Sequence, residues 1–346
     1  MCECWIREYE NMTCMHNTFG DKFRITIYGG SHEPKLGVVI DGVEAGIPLS
    51  ASDFAGDIAR RRPGAKGTTP RTEADEPEIS SGVSDGVTDG TPLRIEFINS
   101  NIRPGDYDRF LEVPRPGHVD YVTRPEQYGV DSPRQFPPFT GGGIFSGRMT
   151  LALVAAGVVA KKVLLRSLPD VRIHAELIMM GGSPDKSRWR SVLDEAISDG
   201  DSLGGVVECG VKGLPVGLGE PYFDSVESLI SHAVFSIPGV RGVEFGDGFA
   251  ASSMRGSEHN DPFGPEGRLM KNGAGGVNGG LTNGNELLFR VAFKPTSTIS
   301  RPQTTWDFSR RRLVELSAGG RHDVCFALRT PVVVEAMTAV VLCNLI

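Results

Sequence analysis

Three of the seven histidines stand in turn-like settings beside groups able to hold them. Arg115-Pro116-Gly117-His118-Val119-Asp120-Tyr121 puts an imidazole into a bend with a guanidinium, a carboxylate and a phenol. Pro116 fixes its own φ and Gly117 accepts conformations closed to other residues, so His118 is expected outside regular structure. A histidine held there is a candidate proton donor, since its unperturbed pKa lies nearest neutrality. Gly29-Gly30-Ser31-His32 and Gly319-Gly320-Arg321-His322-Asp323 have the same look. Each alone reads first as a polar turn; three of them in a chain rich in Arg and Gly shift the reading toward chemistry.

Groups suited to an anion are spread between these turns. Arg60-Arg61-Arg62 ends a helical pattern, where cations suit the negative end of the macrodipole, and Pro63-Gly64-Ala65-Lys66-Gly67-Thr68-Thr69-Pro70-Arg71 follows as a polar loop. The stretch reads either as a solvated helix end or as a phosphate site, where amides, hydroxyls and guanidinium groups all donate to phosphate oxygens. Ser146-Gly147-Arg148 precedes a long apolar helix, and an anion is favoured at such an amino end. Lys294-Pro295-Thr296-Ser297-Thr298 supplies one cation and three hydroxyls. The glycines of Asn272 to Gly280 suit either a flexible loop or a flat or phosphorylated ligand against the backbone. No Walker-type or Gly-x-Gly-x-x-Gly pattern occurs, which disfavours a P-loop or Rossmann site.

The 346 residues, 39% apolar, can bury a core, and 44 clustered glycines imply many tight turns. A formal net charge of −7 argues against a general binder of nucleic acid or membrane surfaces, so the local basic clusters are expected to serve a small anion. Cys2, Cys4, Cys14, Cys209, Cys325 and Cys343 have no zinc-finger spacing, and no metal is expected. A reducing, cytoplasmic setting follows, with no leader peptide and no apolar run of membrane-spanning length.

The elements that must position these groups are read in order. Residues 1–14 lack periodicity and are expected to be a non-native or disordered extension before a natural start at Met15; residues 15–346, without a linker, are expected to form a single domain. Phe23 to Tyr28 and Leu36 to Ile40 alternate as strands with His32 in their connection. A helix begins near Ser50 or Ser52, burying Phe54 and Ile58. Further strands run at Ile79 to Ser81 and Leu93 to Ile98. The segment from about Met149 to Leu168 is apolar over most of its circumference, which predicts a buried central helix. Val171 to Val211 reads as strand, helix (Arg188 to Ile197) and strand. Pro221 to Phe235 reads as one long helix, Val243 to Phe249 as strand and turn, Gly256 to Asp261 as a polar loop, Leu287 to Phe293 as a strand, and Val332 to Leu345 as an apolar closing helix.

Together these motifs resemble chorismate synthase, over about Asn17 to Leu342. The likeness rests on Asn17-Thr18-Phe19-Gly20, Arg60 to Gly64, Arg115 to Tyr121, Ser146 to Thr150, Gly242 to Phe249, Arg255 to Glu258, Gly279-Gly280, Lys294 to Thr298 and Arg321-His322-Asp323, in matching order. The resemblance implies an α+β fold, a β-α-β sandwich of antiparallel sheets around long central helices, and a homotetramer. It implies a carbon-oxygen lyase of the shikimate pathway of aromatic amino-acid biosynthesis that expels phosphate from 5-enolpyruvylshikimate 3-phosphate by an anti-1,4-elimination. Reduced FMN would be required without net redox change, supplied by a separate, NADP-linked flavin reductase. By motif, His32 would protonate the departing phosphate, His118 would set the protonation of the flavin, and Asp323 would assist hydrogen removal. Arg61, Lys66, Arg71, Arg148 and Arg321 would hold phosphate and carboxylates. Arg115, Ser146, Gly280, Lys294, Pro295, Thr296, Ser297, Thr298 and Arg321 would face FMN, with His322 a neighbour.

The chain departs from the family pattern in places. Gly29-Gly30-Ser31-His32-Glu33 stands where the family usually has Gly-Glu-Ser-His-Gly, so a carboxylate has crossed the Ser-His pair; beside a phosphate it would repel unless turned away or paired with Lys35. Lys66 stands where a second arginine is common, and Pro238-Gly239 replaces a usual Asn-Ala. These changes leave open a member that binds flavin or phosphosugar with reduced or lost activity. An RNA-binding protein using Arg60 to Arg71 is the rival from another class, disfavoured by the acidic net charge.

Overall fold

The computed structural model describes residues 17–132, 136 and 140–346. The expected extension at 1–14 and start at Met15 lie outside the described residues. Two antiparallel sheets enclose two helices. The first sheet has strand order Thr18–Phe19, Arg24–Gly29, Lys35–Asp41, Leu93–Ile98, Glu78–Ser81; the second runs Val240–Phe245, Leu287–Phe293, Gly205–Lys212, Arg172–Met180. The central helix Thr150–Ser167 lies on the first sheet, the closing helix Pro331–Leu345 on the second, and the two helices pack on each other. This is the expected α+β sandwich.

Side-chain period explains the layers. In Leu287–Phe293 the alternate residues Leu287, Phe289, Val291 and Phe293 are buried, and Val207, Cys209 and Val211 match them on the neighbouring strand. The closing helix is buried on every side from Val332 to Cys343, as a helix between a sheet and another helix must be. Gly157 makes that close approach possible: a Cβ there would stand 2.3 Å from the Cβ of Ala336. One charged residue sits inside this layer. Glu335, 2% exposed, accepts both Arg60 Nη1 and Nη2 at 2.7 Å, the Ala175 amide at 2.9 Å and Lys161 at 3.2 Å. A carboxylate so fully paired ties the helix Ala55–Arg61 to both long helices and the second sheet.

Several expectations change. Pro221 to Phe235 is not one helix. Ser225 is extended (φ −61°, ψ 153°) and its Oγ accepts the Ser228 amide at 3.1 Å, so a 3₁₀ turn Tyr222–Asp224 is followed by a capped helix Val226–Phe235. The polar loop after Arg255 contains a short helix Gly256–His259, begun by Glu258 accepting the Arg255 amide at 2.7 Å. A hairpin of Gln303–Asp307 and Arg312–Leu316 had no counterpart in the sequence reading. It supports the segment carrying His118 through Phe110, Leu316 and Ala318, a cluster separate from the main core.

Candidate active site

Loops from both sheets and the amino end of the central helix meet at one cavity of about 600 Å³. Of the residues to which the resemblance gives a catalytic, substrate-binding or flavin-facing role, all except Lys66 and Gly280 line it. Lys66 is exposed and its ammonium pairs with Asp194. Gly280 lies in a tight turn (φ +91°), where a Cβ would meet the Glu220 carbonyl at 2.7 Å. The glycines before it serve the chain's own close packing: a Cβ on Gly275 would stand 2.4 Å from the Gly246 nitrogen, and Asp261 accepts the amides of Gly273 and Ala274.

The His32 turn follows from Gly29, whose φ of +84° ends the strand, and from the Ser31 amide donating to the Gly143 carbonyl at 3.2 Å. His32 packs edge-on against Tyr107, ring centroids 4.8 Å apart. Burial first, then the charges of Arg71 and Arg321, lower its pKa to about 4. Glu33, the displaced carboxylate, is exposed and does not line the cavity; it folds back so that a Cβ on Gly30 would be 2.9 Å from its Oε1. Lys35, its suggested partner, donates to Glu96 at 2.6 Å.

The His118 bend is closed by its own amide donating to the Arg115 carbonyl, with Gly117 at φ +68°. His118 Nδ1 lies 2.7 Å from Asp120 Oδ1, and Arg115 donates to both oxygens of the same carboxylate, at 2.7 and 2.8 Å. Arg115 Nη2 also lies 3.0 Å from Nδ1 but donates to Asp120 Oδ1 at the shorter distance, and an ionised carboxylate only accepts, so the closer Asp120 contact favours the proton on Nδ1 and leaves Nε2 free of that contact. Burial alone would raise Asp120, but the bonds from Arg115 and His118 hold it well below the usual carboxylate range. Burial lowers His118 as well; Asp120 opposes this without cancelling it. Lys294 and Ser297 both donate to the Gly117 carbonyl, at 2.8 and 2.7 Å, joining this bend to the Lys294–Thr298 segment. The unusual Pro238-Gly239 lines the cavity too, and the Gly239 carbonyl accepts the Lys294 amide at 2.8 Å.

Asp323 accepts Arg329 Nε and Nη2 at 3.0 and 2.8 Å and the Thr69 amide at 2.9 Å. Arg61 is almost fully buried and turns inward, donating to the Gly147 and Arg148 carbonyls and to Thr150, so its role at the wall is to hold the start of the central helix. Burial, with Arg329 and Arg148 nearby, lowers its pKa. Ser146 Oγ accepts the Arg148 amide and caps the turn that opens the helix. Arg148 donates Nε to Asn99 and Nη1 to Asp75, a buried residue at φ +49°.

Seven arginines and Lys294 line the cavity against three carboxylates, Glu73, Asp75 and Asp323, so its field favours anions. Four buried polar atoms on residues that line it have no partner among the described residues: Ser31 Oγ, His32 Nδ1, Arg148 Nη2 and Thr296 Oγ1. Sequence reading missed Glu73, Asp75, Tyr107 and Arg329; only Arg329, six residues beyond Asp323, carried a local signal. Among the described residues no group of His, Cys, Asp or Glu could hold a metal ion, and no helix is long and apolar enough to cross a membrane.

Comparison with known proteins gives the family of the chain. A sequence model of the family described as chorismate synthase matches residues 23–346. The chorismate synthase of Chitinophaga pinensis is 52% identical over 329 residues, spanning 95% of this chain and 96% of its own. That of Syntrophobacter fumaroxidans is 44% identical over 348 residues, spanning 95% and 96%, and that of Aeropyrum pernix 41% identical over 359, spanning 95% and 92%. A crystal structure of a chorismate synthase shares the fold, with a TM-score of 0.68 at 24% identity over 94% of this chain and 92% of that one. With a family match over nearly its whole length and relatives at this level of identity, the chain belongs to the chorismate synthase family and is a carbon-oxygen lyase.

Proposed function

We propose that the protein converts 5-enolpyruvylshikimate 3-phosphate to chorismate by anti-1,4-elimination, with FMN in its reduced form and no net redox change. The observation that carries this reading is the meeting of surplus cations and four partnerless buried polar atoms in one cavity. Buried polar groups are ordinarily paired, so these call for a ligand with many acceptors, and a phosphorylated, carboxylated ring is one. The volume lies in the range that encloses small ligands.

The residues also suit the flavin. Lys294, Thr296, Ser297 and Thr298, with Arg115 and Ser146, would hold it in the cavity; bound there, reduced FMN would supply the transient electron density that side chains lack. Arg71, Arg148 and Arg321 hold the anionic groups of the substrate, and His32 holds the proton for the departing phosphate oxygen. His118, its Nδ1 proton tied to Asp120, governs protonation on the flavin side. Asp323, oriented by Arg329 and Thr69, assists removal of the hydrogen from C6. The same reading includes a homotetramer, a separate flavin reductase, a cytoplasmic setting, and one domain from residue 15 onward.

The test is anaerobic: purified protein, chemically reduced FMN and the phosphorylated substrate, following phosphate release and chorismate absorbance. Turnover supports the reading. FMN bound without phosphate release would replace it with a binding protein that has lost the reaction, an outcome against which the outward position of Glu33 argues.

A further inference from the structure

The first sheet delivers one strand end to the site. Leu93–Ile98 is followed by Asn99-Ser100-Asn101, none of which lines the cavity. Each contacts the apparatus of a different arginine. Asn99 Oδ1 accepts Arg148 Nε at 3.0 Å. Ser100 donates its amide and hydroxyl to Glu73 Oε2 at 2.9 and 2.8 Å, while Glu73 Oε1 accepts Arg71 at 2.6 Å. Asn101 Oδ1 accepts Arg321 Nη1 at 2.7 Å, and its carbonyl takes Nη2 at 3.4 Å. The amide oxygens have no freedom to turn away, because both NH₂ groups are engaged: Asn99 Nδ2 donates to the Gly30 and Glu33 carbonyls, at 3.0 and 2.7 Å, and Asn101 Nδ2 to the Thr72 carbonyl at 3.2 Å. Asn99 thereby also ties the His32 turn to the same strand end.

We propose that Asn99-Ser100-Asn101 is a positioning clamp that aims Arg148, Arg71 and Arg321 at the anionic ligand, and that Asn101 does so without neutralising the charge it holds. The contrast within the site supports this. Arg115, Arg329 and Arg71 are held by the carboxylates of Asp120, Asp323 and Glu73. Arg321 forms no ion pair among the described residues, and its tether is a neutral amide. A carboxylate at 101 would keep the acceptor in place and cancel the field, whereas an amide orients the fork and leaves its full charge to the cavity. The identity of the ligand rests on the functional reading above; the clamp itself does not.

Asn101→Asp and Asn101→Ala separate charge from scaffolding. The probes are inorganic phosphate binding, by calorimetry, and kcat and KM for 5-enolpyruvylshikimate 3-phosphate. Asn101→Asp is expected to weaken phosphate binding and raise KM by about tenfold or more, with a smaller fall in kcat, because a like charge now stands beside the anion site. Asn101→Ala, which loses the tether but adds no charge, is expected to weaken phosphate less than Asp does. A merely structural role predicts the reverse order, and that order, equal binding by Asn101→Asp, or no phosphate binding by the wild type overturns the inference. Asn101 is only partly buried, and thermal unfolding checks that the variants fold; should Asn101→Asp not fold, Asn101→Ser, a shorter neutral tether, is expected to weaken phosphate about threefold, and unchanged binding there also overturns it. A wild type that binds phosphate but does not convert the substrate refutes the functional reading alone.

Discussion

His32 cannot act as a proton donor at neutral pH in the empty cavity, and binding must change that. With a pKa of about 4, set by burial and then by Arg71 and Arg321, roughly one His32 in a thousand is protonated at pH 7. To be half protonated there its pKa must rise by about three units, which is about 4 kcal/mol of interaction. A phosphate placed among Arg71, Arg321 and His32 is of the right size: two unit charges about 4 Å apart near a protein surface interact by about 4 kcal/mol, and phosphate also offsets the two guanidinium charges that lower the histidine. Substrate binding at pH 7 should therefore draw about half to one proton from solution onto His32. Because the bound form has the higher pKa, affinity should increase as pH falls from that value toward about 4. Calorimetry of 5-enolpyruvylshikimate 3-phosphate binding in buffers of different ionisation enthalpy measures the uptake, and the comparison with His32→Asn isolates it from the phosphate's own titration. No proton uptake by the wild type, or the same uptake by His32→Asn, refutes the assignment of His32 as the donor.

Asp120→Asn should cost about 3–5 kcal/mol in urea unfolding, since either orientation of the amide sets an NH₂ against the donors of Arg115 and leaves a buried guanidinium without its counter-charge; a loss under 1 kcal/mol would mean that Arg115 finds another partner. Gly157→Ala should destabilise by about 1–3 kcal/mol by forcing apart the two long helices at Ala336, and a neutral or stabilising result in thermal unfolding would show that the contact can yield. His32 and His322 both have folded pKa values of about 4, lowered first by burial, so the unfolded chain takes up their protons earlier as pH falls. The stability they contribute is whole above about pH 6.5 and is lost as pH drops toward 4, at up to about 1.4 kcal/mol per pH unit for each, less for their partial exposure; urea midpoints at pH 7, 6 and 5 that do not move would contradict this.

The parts of this molecule readable from sequence are those whose cause is local. Alternation along Leu287 to Phe293 and the uniformly apolar Val332 to Leu345 follow from period and burial, and the bends at His32 and His118 follow from Gly29 and Gly117, whose φ values of +84° and +68° few other residues adopt. Pro221 to Phe235 misled because its break depends on Ser225 taking the cap position, one choice among several serines and prolines nearby. The layer behind the arginines was not legible for a different reason. Asn99-Ser100-Asn101 is in composition an ordinary turn after a strand, and its meaning lies in partners far along the chain: Arg148 for Asn99 and Arg321 for Asn101.

That layer decides what the cavity can do. An arginine in an anion site is useful only if something fixes its fork without consuming its charge, and two designs coexist here. Arg115 and Arg329 are each doubly bonded to one carboxylate, Asp120 and Asp323, which makes them rigid and nearly neutral as pairs; they act by holding His118 and Asp323 in place. Arg321, on Asn101, and Lys294, on the Gly117 carbonyl and Ser297, are fixed by neutral acceptors and keep their charge for a ligand. Arg148 stands between: Asp75 takes one nitrogen, Asn99 a second, and the third is buried with no partner. Desolvating that nitrogen without a partner costs about 1–3 kcal/mol in the empty protein, and an anion that meets it regains the cost on binding. The orphaned atom is therefore where this site should discriminate most strongly between an anionic ligand and a neutral one of the same shape.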